Sequence, residues 1–125
     1  MKDVSTKFVI LKMRPEQLLL SLDFISLPSL IFDDIDRLSK FPLFAIFTFN
    51  SIVYGVAKIL TVHPLVKFEF QCQVEWQVVC EYLMNKNLIL ISKNIPLNKV
   101  INGTEIPYNL GKEVLNDSIR NSLIT

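Results

Sequence analysis

The sequence predicts a β-rich α+β domain: a small antiparallel barrel or curved sheet with one internal helix and an amphipathic C-terminal helix. Three observations carry this. From Val66 to Tyr82 every even position is apolar and nearly every odd one is Lys, Glu or Gln, which is the two-residue period of a strand with one apolar face. Residues 43 to 49 and 52 to 62 are short runs rich in Phe, Ile, Val and Thr, parted by Asn50-Ser51. From Asn109 to Leu123 a polar segment carries Leu115, Ile119 and Leu123 at four-residue spacing, the stripe of an amphipathic helix.

Taken in order, Phe8 to Met13 and Leu18 to Ile25 are apolar runs separated by Arg14-Pro15-Glu16, and are expected to form a strand pair interrupted by the proline. Residues 29 to 40 should be helical. Ser29 offers an N-cap, Asp33 and Asp34 suit the positive end of the helix dipole, Arg37 and Lys40 suit the other, and Pro42 closes the segment. Strands are expected at 43 to 49, 52 to 62, 66 to 82 and 88 to 95, with turns at Asn50-Ser51, His63-Pro64 and Met84 to Asn87 pairing neighbours antiparallel. Straight, the third of these would extend roughly 55 Å at about 3.3 Å per residue, so it must bend. Val78-Val79 breaks the alternation and marks a bulge site, with a helical stripe of Trp76, Val79, Cys80 and Leu83 as the rival there. In the final helix Pro107 precedes the start, Asn109 can cap it, and Gly111 is a small penalty.

The 125 residues suit a single domain, 1-125. Half are hydrophobic, nine of them Phe, and mean hydropathy is positive, so some apolar surface is expected to meet a partner. A net charge of +1 gives no broad field of the kind that marks an autonomous nucleic-acid binder or a polybasic anchor. Cys72 and Cys80 share the apolar phase and are expected to be reduced core residues, which favours an intracellular, reducing compartment. The N-terminal apolar run is too short for a secretory signal, so the match of Asn102-Gly103-Thr104 to a glycosylation acceptor is read as chance. Residues 43-60 could span a bilayer by length. Asn50, Ser51 and Lys58 within them favour a hairpin, and no membrane partner is expected.

Chemistry-bearing patterns are sparse. His63 is the only histidine and lies beside a proline; no phosphate loop, nucleophile elbow or Cys-x-x-Cys occurs. Asp33, Asp34 and Asp36 are explained by a helix start. No metal, no cofactor and no catalysis are expected. For nucleic acid, Trp76 and Tyr82 share a phase with Val74, Val78 and Cys80 and should face the core. The opposite phase, Lys67, Glu69, Gln71, Gln73, Glu75 and Gln77, has no net positive charge to attract phosphate.

The strings Val74-Glu75-Trp76-Gln77-Val78-Val79-Cys80, Leu88 to Ser92, and Pro107-Tyr108-Asn109-Leu110-Gly111 with its helix resemble the small OB-fold subunits of eukaryotic single-strand-binding trimers. These include the small subunit of replication protein A and the smallest subunit of the CST telomere-capping complex. The front half departs from that pattern, with a helix after the second strand and up to six strands. The resemblance implies an OB-like, non-catalytic accessory subunit of a single-stranded-DNA or telomere-binding assembly in the nucleus. It would dock on a larger protein subunit through Leu110, Val114, Leu115, Ile119 and Leu123, with indirect nucleic-acid contact. The alternatives are a self-associating viral or matrix-like structural protein at a membrane, and a small enzyme with a dispersed site.

Overall fold

The apolar runs near residues 8 and 45 are continuous rather than alternating because their strands are covered on both faces. In the computed structural model, which describes residues 6–19, 23–65 and 68–123, β1 (Lys7–Lys12) and β3 (Leu43–Phe49) lie side by side inside a six-stranded sheet. They pair in parallel, Lys7 against Leu43 through Lys12 against Thr48. A parallel central pair is buried on both sides, which is why it reads as an unbroken run of Val, Ile, Leu and Phe. The other pairs are antiparallel, and the order is β2 (Phe24–Pro28), β5 (Glu69–Leu83), β4 (Ile52–Pro64), β3, β1, β8 (Thr104–Ile106).

The chain is therefore a mostly-β α+β fold around a mixed, bent sheet. With β2 and β8 at its two edges, it takes the curved-sheet form of the expectation rather than the barrel, and it is mixed rather than antiparallel because β1 and β3 run parallel. One face packs Val9, Leu11, Ala45, Phe47, Ile59, Cys72 and Val74 against Ile35 and Leu38 of α2 (Phe32–Leu38). The other packs Phe8, Ile10, Ile46, Val56, Val78 and Cys80 against Val114 of α3 (Tyr108–Arg120) and against Leu97 and Val100. Two covered faces account for much of the high apolar content.

The long alternating strand is real but changes face midway. Trp76 packs with the first cluster, whereas Val78, Cys80 and Tyr82 join the second. The shift of pairing between Val56 and Ala57, opposite Val78 and Trp76, inserts one extra residue in β5 and reverses its phase. The bulge lies beside the break in alternation at Val78-Val79, where one was expected, and it divides the polar face that the alternation sets up.

Other expectations shift in detail. Pro15 opens a helix, α1 (Pro15–Leu19), because proline suits the first helical position, so the strand expected from Leu18 begins only at Phe24. Residues 20–22 lie outside the described segments, as do Val66 and Lys67. Ser29 starts a short 3-10 turn ahead of α2 and makes no side-chain cap. His63 and Pro64 are the exposed end of β4 rather than a turn. The segment 88 to 95 is no single strand: β6 (Ile89–Leu90) and β7 (Ile95–Pro96) form a two-residue hairpin. Residues 43-60 form most of the β3–β4 hairpin, and among the described residues no helix is long and apolar enough to cross a membrane.

Candidate nucleic-acid interface

Four stretches of chain meet at one end of the central strands. The parallel pairing ends with the Met13 N–H donating to the Thr48 carbonyl at 3.0 Å, which holds the exit of β1 beside the β3–β4 turn. Asn50 and Ser51 make that turn with φ of 50° and 70°. Two left-handed residues are what a two-residue hairpin loop requires, and Asn tolerates them because its short amide bonds locally. Asn98, in the 3-10 turn Leu97–Lys99, donates from Nδ2 to Ser51 Oγ at 3.0 Å and ties the fourth stretch to the turn. Behind them, the Lys12 N–H donates to Asn102 Oδ1 at 2.8 Å.

The result is a cleft of about 500 Å³ lined by Lys12, Met13, Arg14, Gln17, Thr48, Phe49, Asn50, Ser51 and Asn98. That is the size of a small-ligand site. Its chemistry is one-sided. Two cations, three side-chain amides and two hydroxyls line it, and no Asp or Glu does. Lys12 and Arg14 are exposed, and the Arg14 guanidinium lies over the Phe49 ring, 5.9 Å from its centroid. The Arg14 N–H donates to Gln17 Oε1 at 3.2 Å, fixing the start of α1 against the exit of β1. Cations for phosphate, a ring and a guanidinium plane for stacking, and amides for base edges are the equipment of a single-strand nucleic-acid site. A second hollow, of about 280 Å³, mixes Arg37 and Lys93 with Asp34 and Glu105 and has no such bias.

Sequence reasoning missed this cleft. Asn50-Ser51 was legible as a turn, but nothing local joins it to Asn98, which is 47 residues away. The residues that were considered lie elsewhere. Trp76 stands 5.2 Å from Phe47 in the first core cluster, and Tyr82 reaches the Ser118 hydroxyl at 3.0 Å under α3. Asp33 and Asp34 sit in the first turn of α2, and no group of residues able to hold a metal exists among those described. Cys72 and Cys80 are free and buried; burial pushes the Cys72 thiol up to about 12 and raises Cys80, against a smaller opposing effect of the Ser118 hydroxyl. Such thiols are poor nucleophiles.

The expected partner stripe on α3 is split by the sheet. Val114 is fully buried, and Leu110 and Leu115 pack half-buried against the second core cluster. Ile119, 57% exposed, and Leu123, 63% exposed, are the part that faces solvent.

No family model and no curated protein sequence matches the chain. Solved structures do. The YTH domain of Zygosaccharomyces rouxii MRB1, in complex with N6-methyladenosine RNA, superposes with a TM-score of 0.79 at 17% identity, covering 90% of this chain and 84% of that one. The Toxoplasma CPSF4 YTH domain, with a 7-mer m6A-modified RNA, gives 0.82 at 16% identity over 94% and 93%. The Mmi1 YTH domain gives 0.76 at 11% identity over 94% and 77%. These likenesses show that the chain has the YTH fold. They overturn the resemblance to replication protein A and CST subunits, and with it the reading as an accessory subunit of a single-stranded-DNA or telomere-binding assembly, because that reading rested on an OB barrel which the sheet does not form.

Proposed function

We propose that this chain is a non-catalytic RNA-binding domain that takes single-stranded RNA directly across the cleft between the exit of β1 and the β3–β4 turn. The observation that carries the reading is the lining of that cleft: Lys12 and Arg14 with amides, hydroxyls and one ring, and no carboxylate. The solved relatives of the fold support it, since those of Zygosaccharomyces rouxii and Toxoplasma are complexes with methylated RNA. Direct contact replaces the indirect contact implied by the resemblance to single-strand-binding subunits. A charge of +1 says nothing of where the cations lie, and here two stand on one rim with Lys99, exposed, next to Asn98.

In this reading Lys12 and Arg14 neutralise phosphates while Gln17, Asn50 and Asn98 bond to base edges or ribose hydroxyls. The amides are pre-positioned: Gln17 by the Arg14 N–H and Asn98 by Ser51, so little side-chain entropy is lost on binding. The test is a salt titration of the affinity for a short single-stranded RNA. Each phosphate paired with Lys12 or Arg14 contributes about 0.7 to the slope of log affinity against log salt. Lys12→Ala with Arg14→Ala should therefore weaken binding and flatten the slope by roughly 1.4. An unchanged slope would remove these residues from the interface.

A further inference from the structure

Carboxylates are missing from the sequence on both sides of the β3–β4 turn. Residues 42 to 68 and 82 to 104 contain no Asp or Glu, and the second run carries Lys86, Lys93 and Lys99. At this end of the sheet Thr48 pairs with Lys12, Phe49 with Ile52, and Ile52 with Leu83. The exits of β1 and β5 therefore stand three interstrand steps apart, roughly 14 Å at about 4.8 Å each. The chain leaving β5 is pinned there. The Met84 N–H donates to the Ser51 carbonyl at 2.9 Å, on the turn that lines the cleft. Met84 and Leu88 are buried, and between them Asn85, Lys86 and Asn87 are exposed. The Leu88 N–H donates to the Asn85 carbonyl at 3.2 Å and the Asn87 N–H to Asn85 Oδ1 at 2.9 Å, so a β-turn and an Asx turn together hold Lys86 at their apex.

We propose that an RNA strand held in the cleft continues over the β3–β4 turn and sets a further phosphate on Lys86. The proposal rests on RNA binding at the cleft and extends the footprint to the far side of Ser51. At about 3.4 Å per stacked nucleotide, about four nucleotides cover the distance from the exit of β1 to that of β5. Ser51 is the hub of this path: it lines the cleft, its carbonyl holds Met84 and its hydroxyl holds Asn98. Lysine suits the far end because its ammonium is a compact point charge that meets a phosphate without a fixed approach angle. The turn beneath it is already ordered, so binding orders only the side chain. Lys93 is equally exposed and lies in the same run, but it lines the second hollow with Asp34 and Glu105, whose charges repel phosphate. The two lysines therefore separate a phosphate path from a general excess of positive charge.

The test is fluorescence anisotropy with the full chain and a labelled single-stranded RNA of about nine nucleotides, long enough to cover the whole path, titrated at several salt concentrations. Lys86→Ala should flatten the slope of log affinity against log salt by about 0.7, and Lys93→Ala should leave it unchanged. Combined with Lys12→Ala, the losses should add to about 1.4, because one strand meets both sides of the turn. Lys86 is exposed, so these variants should unfold at the temperature of the parent chain. An unchanged slope in Lys86→Ala overturns the proposal while leaving RNA binding intact. So does equal flattening by Lys86→Ala and Lys93→Ala, which would be a general charge effect, or a double variant no flatter than either single one. Absence of binding by the parent chain at low salt removes RNA binding itself, and the proposal with it.

Discussion

Gly111 faces Phe8 so closely that a Cβ there would stand 2.1 Å from Cγ of a ring that is 1% exposed. Helix propensity alone favours Ala over Gly by about 1 kcal/mol. Overpacking a filled core costs about 1 to 3 kcal/mol, and the near atoms are the rigid root of Phe8, so the clash wins. Gly111→Ala should lower stability by about 1 kcal/mol in urea unfolding, the clash less the propensity gain, and a gain would show that α3 can lift off the sheet freely. The glycine that looks in sequence like a small penalty is what lets the helix sit down. Titration gives a second residue-scale expectation. Burial holds the Cys72 thiol near 12 against its ordinary 9, and the Tyr82 hydroxyl near 12 against 10. The native state thus keeps protons that the unfolded chain gives up, so stability should be full below about pH 9 and fall as pH rises towards 12. The urea midpoint should drop between about pH 8 and about pH 10.5, and drop less in Cys72→Ala; a flat profile would mean these groups are hydrated in the native state.

Among the elements, α3 divides its apolar residues between two roles. Val114 lies wholly against the sheet with the Ser118 hydroxyl donating back to its carbonyl at 2.8 Å, while Ile119 is open to solvent. Val114→Asp should cost more than about 3 kcal/mol, as an unpaired carboxylate in a core, and Ile119→Asp less than about 0.5 kcal/mol. Thermal unfolding of both variants distinguishes this from a helix that is all partner seam, where both would fold normally. Whether Ile119 and Leu123 also anchor a protein partner is a proposal that pull-down with Ile119→Asp tests. The sequence reads well at this scale where one period dominates: β3, α2 and the body of α3 lie within a few residues of their expected limits. It reads poorly where tertiary contact decides. The parallel pairing of β1 with β3 is set by burial on both faces, which a two-residue period cannot encode, whereas the reversal of β5 falls beside Val78, next to the break in alternation that marks a bulge in the sequence.

For the whole molecule, the candidate site is assembled from residues near 13, 49 and 98 that only the sheet brings together. No local spacing announces it, and the net charge hides it because Asp34, Glu105 and Asp117 pair with Arg37, Lys7 and Arg120 on other surfaces. Lys12 and Arg14 on the cleft rim make no ion pair among the described residues. Direct RNA binding there is the central claim, and amide chemical-shift mapping of the isotope-labelled chain during titration with a short single-stranded RNA tests it most directly. The account predicts saturable shifts at residues 12 to 17, 48 to 51 and 98 to 99, reversed by added salt. Shifts confined to α3 and residues 119 to 123, or none at low salt, would contradict it.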